Sequence, residues 1–264
     1  MVTVLLVVLG FFSGLLGALT GIGGGVLLTP ILALHFGIPI RQAIGTSLVA
    51  VITTSAASSS VHLQRHTTDI RLGMTLELAT SFGAAITAYL VGYFNRNVLE
   101  GLFAGFLLYS AITIVARHGK LKPDGAYPPS NGEVVIPPYE PKRYPLGLSA
   151  SLVAGALSGL LGIGGGPIKV PVMYLFMDVP LMVATATSNF MVGVTAAASA
   201  MVYYRRGDIV VQYAAPLAVG VFMGSLLGAR IAPRIHAKYV MYLLVAIMLY
   251  LAGHMAIHLL KGRL

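Results

Sequence analysis

The sequence predicts an all-α polytopic membrane protein made of two homologous repeats, and three observations carry that prediction. Only 9% of the 264 residues are charged and 57% are hydrophobic, whereas a soluble domain carries about 25% charged residues. The apolar residues form long runs, most of them longer than the roughly 18 residues with which a helix crosses a bilayer. Finally, the ten residues that begin at Gly21 recur at Gly162, 141 positions later, with six of the ten identical.

The apolar runs fall into two sets of five. We expect them at about 2–20, 23–38, 42–62, 72–94 and 98–116, and again at about 145–162, 166–180, 182–204, 210–231 and 238–260. The stretch between the sets, residues 117–144, contains Pro-Pro pairs, charges and Asn-Gly, which are typical of an extended aqueous linker. The chain therefore divides into a first membrane repeat (1–116), this Pro-rich linker, and a second membrane repeat (145–264).

The first apolar run and the distribution of charge also indicate a membrane protein. The run begins at Val2 without a basic region and shows no clear cleavage site, so we expect a retained helix rather than a signal peptide. The net charge of +9 comes from Lys and Arg between the apolar runs, which is typical of a membrane protein rather than of one that binds nucleic acid. The chain has no cysteine, which excludes disulfides, thiolate metal sites and cysteine nucleophiles.

The similarity between the halves extends beyond the opening motif. GIGGGVLLTP and GIGGGPIKVP share six of ten positions, and further matches keep the same offset. They are Thr46-Ser47 with Thr187-Ser188, Ala57-Ser58 with Ala198-Ser199, Gly83 with Gly224, and Ala88 with Ala229. We interpret them as an internal duplication. Duplicated halves in a polytopic membrane protein indicate a secondary transporter, with its substrate site where short segments interrupted by Gly and Pro meet, here 23–38 and 166–180.

Each copy of the motif contains three adjacent glycines, at 23–25 and at 164–166. Three glycines in a row argue against continuous helix. The helix that restarts after them has unpaired N–H groups and a positive dipole end, which suit an anion. We expect two such ends, one from each half, to converge on one anion. The alternative is that the glycines only let helices pack closely.

Lys169 lies inside an apolar segment, where a charge costs about 2.5–3.5 kcal/mol on insertion scales. A bound anion, an acidic partner or a watery cavity would offset that cost, and the alternative is a shallow lysine that reaches the headgroups. The matching residue is Leu28, so a charged site would be asymmetric. Polar residues that open the next helix of each half would donate hydrogen bonds to anion oxygens, or simply cap and join helices. They are Thr46, Ser47, Thr187, Ser188 and Asn189.

Glu77 also lies within an apolar run. It is a candidate for carrying a coupling proton, with a place at the membrane interface as the alternative. His62 and His66, like His254 and His258, have the i,i+4 spacing of metal ligands on one helix face, but neither pair has the Glu of H-E-x-x-H. We therefore expect interfacial histidines, no metal site and no cofactor.

The doubled motif, with a Thr-Ser pair after each copy, resembles the TauE/SafE family of sulfite exporters, also called TSUP permeases. GLLGALTGIGGGVLLTPIL and ALSGLLGIGGGPIKVPVM carry the resemblance, and AIGTSL and ATATSNFMV support it. The resemblance implies a multi-pass permease of the cytoplasmic membrane for small sulfur-containing anions such as sulfite, thiosulfate or organosulfonates. It implies substrate contacts at Gly23, Gly24, Gly25, Thr46, Ser47, Gly164, Gly165, Gly166, Thr187, Ser188 and Asn189. The charge argument adds Lys169 to them.

Eight to ten crossings fit the sequence. If all five segments of each half cross, the halves are inverted repeats, and ten basic residues lie on the linker side against six on the other. If the second segment of each half is re-entrant, the counts are eleven and five. Both arrangements place the linker in the cytoplasm. Inverted repeats suit a site in mid-membrane better, which favours ten crossings.

We expect the halves to carry the anion by alternating access, without enzymatic activity. A passive anion channel is the nearest alternative. An intramembrane enzyme is a more distant one, because H-E-x-x-H and G-x-S-x-G are absent and carboxylates within the runs are few. The expected partners are a small inorganic or organosulfur anion and the lipid bilayer. The sequence leaves the identity of the anion, the direction of transport and homo-oligomerisation open.

Overall fold

The computed structural model describes residues 2–118, 138–232, 235 and 237–261. These residues form ten α-helices and one short 3₁₀ turn, and none of them is in a β-strand. The helices are α1 (Val2–Thr20), α2 (Gly25–His35), α3 (Ile40–Gln64), α4 (Ile70–Leu90), α5 (Arg96–His118), α6 (Tyr144–Leu161), α7 (Gly166–Phe176), α8 (Leu181–Arg205), α9 (Val211–Ile231) and α10 (Ala237–Lys261), and the 3₁₀ turn (Val91–Tyr93) follows α4. Most of the predicted linker at 117–144 lies outside the described residues.

Eight of the ten helices are long and apolar enough to cross a bilayer. The other two, α2 and α7, have 11 residues each, which is about 16 Å of helix against roughly 30 Å of hydrocarbon. The lengths therefore give eight full crossings, not the ten that the sequence argument favoured. The helices α2 and α7 are too short because helix resumes only at Gly25 and Gly166, at the end of each glycine triplet.

Large apolar side chains cover the outside of the bundle. Val4, Leu78, Phe82 and Met201 are each more than 60% exposed. Water would penalise such a surface, whereas hydrocarbon accepts it, because burying apolar groups is favourable only relative to water. Together with the eight long helices, this surface identifies a multi-pass membrane protein.

Small residues allow two helix pairs to pack backbone to backbone. In α9, Gly220 faces the backbone of Val7 and Gly224 faces that of Phe11, so α1 and α9 run parallel. In α6, Gly155 faces Thr80 and Gly159 faces Ala84, so α4 and α6 also run parallel. A Cβ at any of these glycines would overlap the facing carbonyl group, which is why the close approach requires glycine.

The helices α3 and α8 form the centre of the bundle and cross in opposite directions. Gly45, near the start of α3, faces the backbone of Asp208, just past the end of α8, whereas Ser55, later in α3, donates a hydrogen bond to the carbonyl of Asn189, earlier in α8. Thr46, near the start of α3, accepts a hydrogen bond from the N–H of Val210, just before α9. Arg65, directly after α3, donates to the carbonyl of Ala229, near the end of α9. The helices α3 and α9 are therefore parallel.

The helices α8 and α4 are also parallel. Thr187, early in α8, accepts a hydrogen bond from the N–H of Asp69, just before α4, and Arg206, directly after α8, donates to the carbonyl of Ala88, near the end of α4. The helices α1, α3 and α9 therefore share one direction, and α4, α6 and α8 share the other. The first helices of the two halves, α1 and α6, thus run in opposite directions, as inverted repeats require. The internal duplication itself stays a prediction.

Candidate functional site

The chain leaves the helical conformation at the two predicted breaks. Between α1 and α2 the break covers residues 21–24, and between α6 and α7 it covers residues 162–165. Five glycines in these segments have positive φ angles between 70° and 80°, a conformation that glycine adopts at little cost. They are Gly21, Gly23, Gly162, Gly164 and Gly165.

The two breaks touch each other in the middle of the bundle. A Cβ on Gly25 would overlap the carbonyl oxygen of Gly162, and a Cβ on Gly166 would overlap that of Gly21. These two close approaches differ by the same offset of 141 positions. The side chains of Val51 and Val192, near the centres of α3 and α8, flank both segments. The breaks therefore lie together at mid-depth, and the helices α2 and α7 begin there.

The predicted polar donors next to the breaks bond to backbone groups. Ser47 Oγ lies 3.3 Å from the carbonyl oxygen of Gly162, and Ser188 donates to that of Gly21 at 2.9 Å. Asn189 donates from Nδ2 to the carbonyl oxygen of Ala18 at 3.1 Å. Each of these side chains is buried. Ser188 thus joins the second half to the first break, and Asn189 joins it to the end of α1. Ser47 Oγ is also 2.9 Å from the carbonyl oxygen of Ile44 in its own helix.

The two threonines of the Thr-Ser pairs accept hydrogen bonds from the backbone. Thr46 Oγ1 accepts from the N–H of Val210 at 3.1 Å, and Thr187 Oγ1 accepts from the N–H of Asp69 at 3.0 Å. As substrate contacts they stay predictions, and in this structure they join helices.

Lys169 and Glu77, both singled out in the sequence, form a buried ion pair. Lys169 Nζ lies 3.2 Å from Glu77 Oε2 and donates to Thr195 Oγ1 at 2.9 Å. The carboxylate also accepts from Thr195 at 2.7 Å and from Ser81 at 2.6 Å, both at Oε1. The side chain of Lys169 is fully buried and that of Glu77 is 5% exposed. An acidic partner therefore offsets the buried lysine charge, and neither residue reaches the headgroups.

Sequence reasoning missed the two hydroxyls of this cluster. Ser81 lies four residues after Glu77 on the same helix, a spacing that predicts a side-chain contact. Thr195 lies 118 positions from Glu77, and no local pattern joins them. Its one signal is its place two turns after Ser188, on the same face of α8.

The positions that match this cluster at the offset of 141, around the first break, are nearly apolar. Leu28 matches Lys169, Ala218 matches Glu77 and Thr54 matches Thr195. Leu28 belongs to an apolar cluster with Leu32 and Leu217, among others. Thr54 donates to the carbonyl of its own helix. The asymmetry that the sequence predicted at Leu28 thus extends to its surroundings.

The histidines differ partly from the expectation. His62 is buried, with Nδ1 3.3 Å from Thr67 Oγ1, because α3 continues past it and packs against α9. His254 is exposed and stacks on Tyr250, and His258 lies 3.5 Å from Glu100. In the part of the chain that the structure describes, no three His, Asp or Glu residues come together as metal ligands.

Eight bilayer-length helices and two short ones that begin at the paired glycine breaks define a polytopic membrane protein. A sequence model of the family described as "Sulfite exporter TauE/SafE" matches residues 6–255, and the chain belongs to this family.

Curated relatives agree with that family. The chain is 30% identical to "Probable membrane transporter protein YunE" of Bacillus subtilis, over 95% of each chain. It is 29% identical to "Probable membrane transporter protein MJ0441" of Methanocaldococcus jannaschii, over 92% of this chain and 91% of the relative. A shorter match, 37% identical over 34% of this chain and 20% of the relative, is to "Sulfite exporter TauE/SafE family protein 1" of Arabidopsis thaliana. No solved structure matches significantly.

Proposed function

We propose that the protein is a secondary transporter that carries a small sulfur-containing oxyanion across the membrane through the paired breaks. Sulfite, thiosulfate and organosulfonates are the candidate substrates. The contact between the two breaks at mid-depth supports this proposal most strongly, because it brings the first residues of α2 and α7 to one place. The family description and the name of the Arabidopsis relative support the substrate class.

The electrostatics of the breaks favour an anion there. The helix α2 runs antiparallel to α3, since Gly25 lies beside Val51 and Thr29 beside Ser47. The helix α7 runs antiparallel to α6, since Gly165 lies beside Ala154 and Met177 beside Gly147. The two short helices thus diverge from the breaks, and both positive ends point inward. Each end carries about half an elementary charge, and hydrocarbon screens it little.

The ion pair of Lys169 and Glu77 offers a route for proton coupling. Lys169 Cε would lie 3.3 Å from a Cβ on Gly165, so the lysine side chain borders the second break. An anion at that break competes with Glu77 for the ammonium group. A proton on Glu77 removes the competing negative charge, so proton binding and anion binding support each other.

Other ionisable groups stand along the helices that surround Glu77. In α4, α6, α7 and α8 they are Arg71, Tyr89, Tyr144, Tyr174, Tyr203, Tyr204 and Arg205. Lys169 is the charged group that is bonded directly to the Glu77 carboxylate.

Uptake of labelled sulfite, thiosulfate and taurine into proteoliposomes tests the proposal. We expect saturable uptake that is stimulated by the same anion on the far side, as alternating access requires, whereas a channel gives uptake without such exchange. Gly165→Leu and Lys169→Met should abolish it. Gly105→Leu and Lys142→Met are matched controls, because Gly105 faces open space and Lys142 is exposed. Unchanged uptake in Lys169→Met would remove that residue from the mechanism.

The coupling step has its own readout. Uptake by the unmodified protein should rise with an inward proton gradient, and uptake by Glu77→Gln should not respond to the gradient. If the unmodified protein already ignores the gradient, proton coupling fails while anion transport stands.

A further inference from the structure

A cavity of about 130 Å³ lies between α1, α5, α7 and α8. Leu181, the first residue of α8, lines its outer part, and Ile22 and Gly166 of the two breaks line its inner part. The loop before α8 is joined to the chain that enters α6, because the N–H of Lys142 donates to the carbonyl of Met177. We call the face of the bundle at which α6 begins, beside Tyr144, the linker face. The cavity therefore reaches from the linker face to the breaks.

The lining of this cavity suits a small hydrated anion. Ser110 is 2% exposed, and its hydroxyl has no hydrogen-bond partner within the described residues. A buried hydroxyl without a partner costs free energy, and rotation of the Ser110 side chain about χ1 would bring this hydroxyl to a ligand in the cavity. Gly166 begins α7 and contributes the positive helix end. Thr20, Thr113 and Thr185 also line the cavity, and no acidic residue of the described chain does.

The volume is large enough for this role. A water molecule needs roughly 10–15 Å³ of such space, so the cavity holds several waters, or one oxyanion with part of its hydration shell. The hydroxyls lie among apolar side chains such as those of Leu19, Ile114 and Leu244.

The matching region on the opposite face is filled. At the same offset, Ser110 corresponds to Leu251, Thr20 to Leu161 and Thr185 to Ile44. All three counterparts are at most 2% exposed and belong to the largest apolar core cluster. Phe103 and Met255, which match Leu244 and Ile114 of the cavity wall, belong to the same cluster. The path to the breaks is thus hollow on the linker face and packed on the other.

We propose that this cavity is the chamber through which a small oxyanion reaches the breaks from the linker face, with Ser110 as a hydrogen-bond donor to it. The packed counterpart around Leu251 is the closed gate on the other face. The assignment rests on the proposed transport function and adds to it the path, a new ligand-contacting residue and the side that is open.

The absence of cysteine from the chain gives a direct test. Ser110→Cys and Leu251→Cys are matched single-cysteine variants in a protein without competing thiols. Each is treated, from each side of sealed vesicles, with an impermeant anionic reagent (2-sulfonatoethyl methanethiosulfonate) and an impermeant cationic one (its trimethylammonium analogue). We expect Ser110→Cys to react from the linker face at least tenfold faster than Leu251→Cys reacts from either face.

The charge of the reagent tests the ligand class. Relative to their rates with a free thiol, the anionic reagent should react faster than the cationic one at Ser110→Cys. Ethanesulfonate, which does not attack the reagents, should slow the reaction. The assignment is overturned if the cationic reagent reacts faster than the anionic one at Ser110→Cys. It is also overturned if Ser110→Cys and Leu251→Cys are equally unreactive. Thr185→Cys and Ile44→Cys form a second matched pair if either variant of the first pair fails to fold.

The labelling result is independent of the transport assay. If the cysteines react as expected but reconstituted protein carries no sulfur oxyanion, the chamber stands and the proposed substrate fails. If sulfite is transported but Ser110→Cys is inert from the linker face, transport stands and this path is wrong.

Discussion

The two breaks share one scaffold but have different surroundings. Each break receives a serine from the other half, Ser188 at Gly21 and Ser47 at Gly162. Around the second break stands an ion pair with two hydroxyls, whereas the matching positions around the first are nearly apolar. The scaffold needs both copies because each break is the packing partner of the other. The proposed function needs only one copy of the charged group, because it places one anion at one point between the halves.

The difference matters because the two kinds of site tolerate change differently. Shortening a side chain in a packed apolar cluster lowers the free energy of unfolding in proportion to the volume of the cavity that it leaves. A buried ion pair loses most when one partner remains without the other. Exchanging residues between the two sites therefore separates what holds the fold from what serves transport.

The largest effect is expected from replacing the ion-pair residues, one at a time, by the residues at the matching positions around the first break. Lys169→Leu copies Leu28 and leaves the Glu77 carboxylate buried without its cation, which costs about 3–5 kcal/mol. Adding Glu77→Ala, which copies Ala218, removes the unpaired charge and should recover most of that loss. Anion uptake should stay abolished in the double variant. Thermal unfolding in detergent, with uptake measured in parallel, checks both statements.

Lys142→Gln is the control for this experiment. Lys142 Nζ lies 3.2 Å from Asp178 Oδ2, and both side chains are more than 60% exposed, so the loss of stability should be at most about 1 kcal/mol. A double variant that is less stable than Lys169→Leu alone would show that the pair stabilises the fold beyond neutralising its own charges.

An intermediate effect is expected where the two halves agree. Gly25→Ala and Gly166→Ala each place a methyl group against the carbonyl oxygen of the opposite break. Overpacking of this kind costs about 1–3 kcal/mol, and the matched geometry predicts similar losses for the two variants. Chemical denaturation in detergent would measure them.

Gly105→Ala shows what the same substitution does without the contact. Gly105 lies inside α5 with nothing near its Cβ position, so alanine should be neutral or stabilise the helix by up to about 1 kcal/mol. If only one of the variants Gly25→Ala and Gly166→Ala is less stable than the unmodified protein, the two breaks are not equivalent in packing.

Much of the scaffold could be predicted from the sequence. The paired glycine breaks, the restart of helix after each of them and the long flanking helices follow from local composition, which acts within a few residues. The lengths of α2 and α7 did not follow, because hydropathy does not show where helix resumes inside an apolar run. The sequence therefore favoured ten crossings where eight helices are long enough.

The contacts around the site were less predictable. The charge of Lys169 predicted a compensating partner, but Glu77 lies 92 positions away, and one sequence carries no signal for that pairing. Ser110 is one of many small residues in an apolar helix. Ser110 is a candidate ligand contact only because it lines the cavity between α1, α5, α7 and α8, and a cavity is visible only in the packed structure.

The smallest effect tests whether the matched serines are equivalent. Ser188→Ala removes one hydrogen bond to the carbonyl of Gly21 and should cost about 1 kcal/mol. Ser47→Ala should cost more, because Ser47 also lies 2.6 Å from the buried hydroxyl of Thr29, which then loses its partner.

The second half has Val170 where the first has Thr29. Adding Thr29→Val to Ser47→Ala should therefore lower the loss to that of Ser188→Ala, because no buried hydroxyl remains unpaired. Equal losses for the two single variants would mean that Thr29 finds another acceptor, such as a carbonyl of its own helix. If uptake falls much further than stability in either serine variant, the hydroxyl contacts the anion as well as the break.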